Sequence, residues 1–401
     1  MSVVIGSADG DPVDWASLDV ENRRVLVLVD VDATGNDPAG DLRFAASLPT
    51  LETLRARGAR IIVAGHAGRA PCGEKAHIAP SIVGIAERVA AHLDVEVRVP
   101  DEIVGDAFAR LINDQRPTQL VMLENLDRVP DGSPELDGMV GRLVSTLDAF
   151  VHDALTAVFP ARWGSAALSK GTQRCVAGMR MQRELDALDG VCACAGRGLT
   201  LLLGGDSMER ASRALLHLVE RMGRGDHILV GPQLHPAFVP SSPGGTSNPS
   251  RPLAARLRDK ALARDVALVY PADVDVLDAD GIVTTRAGPY APDADERVTG
   301  LGARARAQFS ALIQGGAGAL WTGALVDPRG ARASESDREI ARAVADCRGG
   351  TVAILNPMLA AEIADLRVGI GNILPDDDAL WHALAGEAMP GWMRVTTPTP
   401  P

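Results

Sequence analysis

The stretch Leu201-Leu202-Leu203-Gly204-Gly205-Asp206-Ser207-Met208-Glu209-Arg210 decides the fold, because a buried apolar run turns through two glycines into a polar segment. In α/β proteins such a turn presents backbone N–H groups at the start of a helix, where they bind phosphate. The chain contains only three lysines, Lys75, Lys170 and Lys260. None lies in this turn, and Asp206 and Glu209 add negative charge to it. The sequence therefore predicts the framework of a phosphate-binding turn without the positive charge that a phosphate requires.

Apolar runs like this one recur along the chain and alternate with segments of helical periodicity. They are Val25–Val29, Ile61–Ala64, Leu120–Leu123, Leu201–Leu203, Ile228–Val230, Val266–Val269, Ala319–Trp321 and Val352–Leu355. Continuous apolar runs are typical of strands that are covered on both faces, as in parallel sheets. We therefore predict an α/β fold with parallel sheets, and 401 residues suffice for two domains.

The composition narrows the classes of partner. A formal net charge of −12 disfavours nucleic acid and anionic membranes, whose phosphates need clustered Arg and Lys. No apolar run reaches the roughly 18 residues of a membrane span, and the first residues lack signal-peptide features. The five cysteines show no zinc-binding or disulfide spacing, so we predict no metal site. We expect a cytoplasmic protein whose partners are small molecules or proteins.

Polar residues follow the predicted strands of the N-terminal half. Asp30 and Asp32 end the first run, Arg43 lies in the helix that follows, and His66 and Arg69 come after the second run. Ligands of doubly wound sheets bind outside the carboxyl ends of the strands, and guanidinium groups hold carboxylate or phosphate in a bidentate manner. This set therefore indicates a small-anion site. From spacing alone, structural or surface ion pairs are the favoured alternative.

Several motifs resemble the phosphoglycerate kinase family, in order and over nearly the full length. In the N-terminal half they are Val29-Asp30-Val31-Asp32 (family VDFN), Asp41-Leu42-Arg43-Phe44 (DxRI), Gly65–Ala70 (SHLGRP), Leu123–Leu126 (LENL) and Val151–Ala154 (VNDA). The match continues through the later part of the chain. The motifs there are Val176-Ala177-Gly178 with Glu184-Leu185 (VAGFLMEKEL), Leu203-Gly204-Gly205, Trp321-Thr322-Gly323 (WNGPMG) and Met389-Pro390-Gly391. The resemblance implies two doubly wound, Rossmann-like domains that are joined by a helix and close by hinge motion.

By this resemblance the chain divides into an acid-binding domain and a nucleotide-domain-like lobe. The first covers residues 1–172, with a tail of residues 386–401 that packs back on it, and the second covers residues 173–385. The stretch from Val176 to Asp189 is the predicted connecting helix.

The resemblance also implies which residues hold the acid substrate. Asp30, Arg43, His66 and Arg69 match positions that bind 3-phosphoglycerate. Asp32 replaces an asparagine and adds negative charge beside an anionic ligand. Two further arginines are displaced from the family's positions, Arg128 by one residue from LENLRF and Arg162 within the segment that replaces the basic HRAH run.

The nucleotide elements of the family are changed together. Ser207 and Ala211 stand at the two lysine positions of GGAKVxDK, and the GGGDT turn reads Leu355-Asn356-Pro357-Met358-Leu359. The late GGGAS turn is matched to Gly371–Leu374. What remains of nucleotide binding is Gly204, Gly205, Gly231 and Gly323. ATP and magnesium are therefore expected as cofactors only if this altered site still functions.

Three functions stay open on the sequence. The first is a pseudoenzyme that binds a small carboxylate or phosphate metabolite in the N-terminal domain, the one we favour. The second is a specialised enzyme that activates or transfers an acyl group with altered groups such as Cys72, Arg210 or Arg329. Cys72 lies near Arg69 and could act as nucleophile, although an ordinary loop cysteine is the favoured alternative. The third is an active divergent kinase in which Arg210 substitutes for a lysine. Cys72 and Arg210 are thus the candidate catalytic residues.

Overall fold

The computed structural model divides into two compact units, each with its own sheet. It describes residues 18–30, 38–66, 81–103, 105–126, 133–158, 165–172, 174–205, 207–238, 249–288, 296–326, 333–366 and 369–387. The described residues up to Arg183 form the N-terminal unit, and those from Glu184 to Glu387 form the C-terminal unit.

The N-terminal unit is built on a parallel sheet of six strands in the order β3-β4-β2-β1-β5-β6. The strands are β1 (Arg24–Asp30), β2 (Arg60–His66), β3 (Glu96–Arg98), β4 (Gln119–Met122), β5 (Ala149–Asp153) and β6 (Cys175–Ala177). The helices are α1 (Pro38–Ala56), α2 (Val83–Leu93), α3 (Asp106–Asn113), α4 (Pro134–Thr146) and α5 (Ser165–Gly171).

The central strands of this sheet are buried on both faces, as their continuous apolar runs predict. Val25 to Val29 are at most 1% exposed, and Val27 and Val63 belong to a core that α1 and α2 cover with Leu51 and Val89. The register pairs Asp30 with His66, so the carboxyl ends of β1 and β2 lie side by side.

The next helix, α6 (Met179–Cys192), contains the boundary between the units, which falls between Arg183 and Glu184. It is the predicted connecting helix, although its first predicted residues, from Val176, belong to a strand. That strand, β6, pairs with β5 and therefore extends the N-terminal unit beyond the predicted boundary at residue 172. Residues 386 and 387 belong to the C-terminal unit, and the rest of the predicted tail lies outside the described residues.

The C-terminal unit also has a parallel sheet of six strands, in the order β15-β14-β13-β7-β8-β9. Its strands are β7 (Leu199–Leu203), β8 (His227–Val230), β9 (Ala267–Val269), β13 (Gly318–Thr322), β14 (Gly350–Leu355) and β15 (Asn372–Pro375). The helices are α7 (Ser212–Arg221), α8 (His235–Phe238), α9 (Arg251–Ala263), α10 (Ala303–Gly315), α11 (Glu335–Ala345), α12 (Pro357–Asp365) and α13 (Asp378–Leu384).

A second, antiparallel sheet lies between β9 and α10 in the chain and has the order β11-β10-β12. It consists of β10 (Asp273–Leu277), β11 (Val283–Ala287) and β12 (Arg297–Leu301). The sequence pattern does not predict this antiparallel sheet, because its strands are short and polar residues interrupt their apolar positions. The two-domain α/β architecture with parallel main sheets is confirmed. None of the helices in the described part of the chain is long and apolar enough to span a membrane.

Candidate functional site

The carboxyl edge of the N-terminal sheet brings together some of the predicted anion-binding residues. Asp30 and His66 end the neighbouring strands β1 and β2, and Arg43 lies in the first half of α1. The side chains of Arg43 and His66 lie outside the described part of the structure. The same holds for five entire residues, Asp32, Arg69, Cys72, Arg128 and Arg162. Their binding or catalytic roles therefore stay predictions.

Asp30 is engaged by an arginine that the sequence analysis did not select. Arg180, in the first turn of α6, places Nη2 3.3 Å from Asp30 Oδ2, and its Nη1 donates to the Asp30 carbonyl oxygen at 3.4 Å. The side chains are 4% and 0% exposed, so this is a buried ion pair. Because an unpaired buried charge is costly, each partner holds the other in place. The family pattern VAGFLMEKEL has leucine where this chain has Arg180. This replacement of an apolar residue by a charged one is the sequence signal for the ion pair.

A second buried carboxylate, Asp153, fastens the start of α6 to the same edge. Its Oδ2 accepts from Thr50 Oγ1 at 2.5 Å, and its Oδ1 accepts from the Met181 N–H at 3.0 Å. Thr50 Oγ1 in turn accepts from the Met179 N–H at 3.1 Å. A Cβ on Gly178 would lie 2.3 Å from Asp153 Cγ, so the close approach requires glycine. These bonds give Asp153 a structural role.

His152, on β5 beside Asp153, supplies no positive charge to this edge near neutral pH. The residue is fully buried, and this desolvation lowers the pKa of its imidazole to about 3. Its ring contacts that of Phe150 edge to face, with 5.6 Å between the centroids. The positive charge for any anion bound nearby must therefore come from residues other than His152.

The carboxyl edge of the C-terminal sheet surrounds a cavity of about 200 Å³. Turns after β7, β13, β14 and β15 form its walls, which include Gly204, Gly323, Arg210, Asn356 and Asp376. Ser207 and Ala211, which replace the two family lysines, also line it. The cavity thus lies where the resemblance implies nucleotide binding.

The backbone N–H groups of the four predicted phosphate-binding glycines are used inside the protein. The Gly204 N–H donates to the Thr322 carbonyl at 2.5 Å and that of Gly205 to Ala324 at 2.6 Å. The Gly231 N–H donates to Leu203 at 2.7 Å and that of Gly323 to Ile354 at 2.9 Å. Because each N–H already has a carbonyl acceptor, none of these four is available to a phosphate oxygen.

These glycines also allow neighbouring strand ends to approach closely. A Cβ on Gly204 would lie 2.4 Å from the Gly323 carbonyl oxygen, and one on Gly231 would lie 2.5 Å from that of Leu203. Gly323 itself has φ +70°, a left-handed conformation that favours glycine. Packing of the backbone is therefore sufficient to explain why glycine occupies these positions.

Arg210, the candidate substitute for a family lysine, is held by two aspartates. Its Nη1 lies 2.8 Å from Asp376 Oδ2, and its Nε donates to Asp378 Oδ1 at 2.8 Å. Partial burial disfavours the charged guanidinium, but the surrounding Asp376, Asp378 and Asp377 outweigh this effect and raise the pKa of Arg210. The arginine is charged, and its charge is neutralised within the protein.

The turn that holds Arg210 consists of Asp376 and Asp377, which follow β15, and Asp378, the first residue of α13. Asp376 Oδ1 also accepts from Trp381 Nε1 at 2.6 Å, and the Asp377 side chain caps α13 by accepting from the Ala379 N–H. By resemblance, the family's late glycine turn corresponds to Gly371–Leu374. In the structure most of that segment belongs to β15, and the turn at the carboxyl end of β15 is formed by Asp376, Asp377 and Asp378. These three consecutive aspartates are the sequence signal for this turn.

Other polar groups that line the cavity also bond within the protein. Thr322 Oγ1 donates to the Leu202 carbonyl at 3.2 Å, and Asn356 Oδ1 accepts from the Leu359 N–H at 2.9 Å. Ser207 Oγ accepts from the Glu209 N–H at 3.2 Å. Among the described residues, no cluster of three or more His, Cys, Asp and Glu side chains could hold a metal ion. The cavity offers a ligand little positive charge and few unused donors.

Comparisons with known proteins agree with the fold and its topology. The sequence model of the family described as "Phosphoglycerate kinase" matches residues 15–358. A phosphoglycerate kinase of Thermomicrobium roseum is 30% identical over 388 residues, covering 93% of this chain and 96% of that protein. One from a Synechococcus strain is 27% identical over 399 residues, covering 94% and 96%.

Two solved structures have the same fold. The phosphoglycerate kinase of Coxiella burnetii superposes with a TM-score of 0.76 at 22% identity, covering 94% of this chain and 97% of its own. That of Pyrococcus horikoshii gives 0.76 at 19% identity, covering 94% and 96%.

Proposed function

The chain belongs to the phosphoglycerate kinase family, and from this premise we propose that it binds a small carboxylate or phosphate metabolite without efficient kinase activity. The binding site would be the carboxyl edge of the N-terminal sheet. The C-terminal unit would serve as a folded scaffold rather than as a nucleotide-binding unit. One observation carries the proposal: among the described residues that line the C-terminal cavity, Arg210 is the basic one, and Asp376 and Asp378 already neutralise it.

The triphosphate of ATP does not fit this cavity. Phosphoryl transfer depends on positive groups that neutralise the transferring oxygens, and on backbone N–H groups that cradle them. Here the N–H groups of the four candidate glycines donate to backbone carbonyls, and Asp376 and Asp378 place negative charge at the cavity. Loss of one charge-stabilising group costs an enzyme about 10²–10³ in rate, so the changes together predict negligible turnover.

The N-terminal edge retains more of what an anionic metabolite requires. The residue types at the predicted positions Asp30, Arg43, His66 and Arg69 are those that the family resemblance implies. Asp30 and His66 are neighbours in register, which supports a shared site. The Arg180–Asp30 pair changes this edge, because Asp30 already binds a guanidinium. We therefore expect a ligand preference that differs from that of the kinases.

Calorimetric titration tests the proposal directly. We expect the intact protein to bind 3-phosphoglycerate or a related hydroxy-acid phosphate, and to show no micromolar affinity for magnesium–ATP. Arg69→Ala should weaken metabolite binding, because it removes a predicted bidentate donor. Arg98→Ala is the matched control, since Arg98 lies on β3 in an exposed pair with Glu96. Micromolar binding of magnesium–ATP would count against the proposal.

An active divergent kinase is the second candidate. It is favoured by the relatives named phosphoglycerate kinase, which this chain matches over 96% of their length. A coupled assay with 3-phosphoglycerate and ATP would support it if turnover were present and lost in Arg210→Ala. The third prediction, acyl transfer through Cys72, concerns a residue outside the described part and would lose its basis if turnover survived Cys72→Ala.

A further inference from the structure

Arg210 lines the C-terminal cavity, and its guanidinium group binds carboxylates of the same chain. We propose that the carboxylates of Asp376 and Asp378 take the place of an anionic ligand on Arg210, so that the cavity is a latent anion site closed by its own residues. This inference deepens the proposed function and rests on it. It explains why nucleotide would be excluded and names the groups that exclude it.

The contact geometry is the first support. Arg210 presents Nη1 to Asp376 at 2.8 Å, and presents Nε and Nη2 to Asp378 Oδ1 at 2.8 and 2.7 Å. Guanidinium groups bind phosphate oxygens through charge-assisted bonds from these same N–H donors. The two carboxylates therefore use the donors that a phosphate or pyrophosphate group would need.

The position of the turn is the second support. It follows β15 and lies at the carboxyl edge of a parallel sheet, where ligands of such folds bind. Asp376 is held there from two sides, because its N–H donates to the Leu355 carbonyl at 2.6 Å and its carboxylate accepts from Trp381 Nε1. Arg210 thus meets a fixed acceptor rather than a mobile surface residue.

The ion pair between Arg210 and the two aspartates is partly exposed to solvent, so its charges can be changed without disturbing the core of the unit. The Arg210 side chain is 50% exposed, and those of Asp376 and Asp378 are 28% and 42% exposed. Exposed ion pairs contribute little stability, so neutralising the aspartates should leave the unit folded. Asparagine at position 376 would keep an acceptor for the indole N–H of Trp381.

The test compares anion binding by the full-length protein and two charge variants, with inorganic pyrophosphate as the probe in calorimetry. The first variant is Asp376→Asn/Asp378→Asn. The matched control is Glu339→Gln/Glu387→Gln, which removes the same charge from the same unit in pairs with Arg306 and Arg213. We expect the aspartate variant to bind pyrophosphate at least about tenfold more tightly than the parent, which corresponds to about 1.4 kcal/mol. The control should match the parent.

Adding Arg210→Ala to the aspartate variant should abolish the gain. The proposal is overturned if the aspartate variant binds no more tightly than the parent, if the glutamate control gains as much, or if the gain persists without Arg210. Asp378→Asn alone provides a milder variant should the double substitution lower the melting temperature. Kinase turnover of the parent is measured separately, so a failure of the proposed function is distinguishable from a failure of this inference.

Discussion

The two parallel sheets each end, at their carboxyl edge, in an arginine that is held by aspartate. In the N-terminal unit the Arg180–Asp30 pair is almost completely buried, with Arg180 4% exposed. In the C-terminal unit Arg210 is 50% exposed and is shared between Asp376 and Asp378. Similar chemistry thus occurs in two environments, from which we expect different consequences: removing one partner of the buried pair should destabilise the fold, whereas the proposed role of the exposed pair concerns ligand binding.

Breaking the buried pair should have the largest effect. Arg180→Ala leaves the Asp30 carboxylate buried without its guanidinium, and we expect the free energy of unfolding to fall by about 3–5 kcal/mol. The double variant Asp30→Asn/Arg180→Met removes both charges and should recover part of the loss. Chemical denaturation measures both values, with Arg98→Ala as the exposed control. A loss below about 1 kcal/mol for Arg180→Ala would contradict the prediction, because the buried pair would then contribute no more stability than an exposed ion pair.

Acid should weaken the N-terminal unit through His152, whose pKa is about 3 in the folded protein. Below the ordinary value of 6.5 the unfolded chain binds a proton that the folded protein does not, so stability is present above pH 6.5 and is lost toward pH 3. Between about pH 6.5 and 4.5 this amounts to about 2–3 kcal/mol.

Denaturation curves at several pH values compare the parent with His152→Asn, which carries the family's residue. The substitution should reduce the slope of stability against pH, because it removes the buried imidazole that does not bind a proton in the folded protein. An unchanged slope in His152→Asn would contradict the prediction, whatever the absolute stability of that variant.

The glycine turn of the C-terminal unit should tolerate a methyl group poorly. In Gly204→Ala the Cβ would lie 2.4 Å from the Gly323 carbonyl oxygen, so the strand ends must separate. We expect a loss of about 1–3 kcal/mol, as for overpacked cores. Gly190→Ala is the control, because a Cβ there has no neighbour within 4 Å and alanine favours the helix by about 0.5–1 kcal/mol. Equal effects of the two substitutions would remove the packing explanation for Gly204.

Arg210→Ala should have the smallest effect on stability. Because the pair is half exposed, we expect a change of at most about 1 kcal/mol, similar to that of Arg213→Ala in another exposed pair. Thermal unfolding of the two variants measures the comparison. A loss as large as that of Arg180→Ala would show that the C-terminal pair also stabilises the fold.

The sequence was sufficient for the central strands of the two parallel sheets but not for the contacts at the edges of these sheets. Buried parallel strands such as Val25–Val29 and Leu201–Leu203 consist of local apolar runs, so their prediction is confirmed. The Asp30–Arg180 pair joins residues 150 positions apart, and local periodicity carries no information about such a contact. The sequence match assigns the family's late turn to the segment at Gly371, most of which is strand β15 in the structure, and Asp376, Asp377 and Asp378 follow that strand.

The antiparallel strands β10 to β12 were missed for a different reason. Val274 and Val276 alternate with aspartates, so only one face of β10 carries an apolar pattern, and it extends over few residues. Those two valines and Val298 form a small core of their own. Such a short signal does not distinguish a strand from a loop.

The aspartate turn after β15 also bears on how proteins of this fold can acquire new roles. The strand before it and the helix after it contribute buried apolar residues, such as Leu374 and Leu380, whereas the side chains of Asp376 and Asp378 are 28% and 42% exposed. A few substitutions in one turn can therefore change what the molecule recognises while the folding information in its strands is left intact.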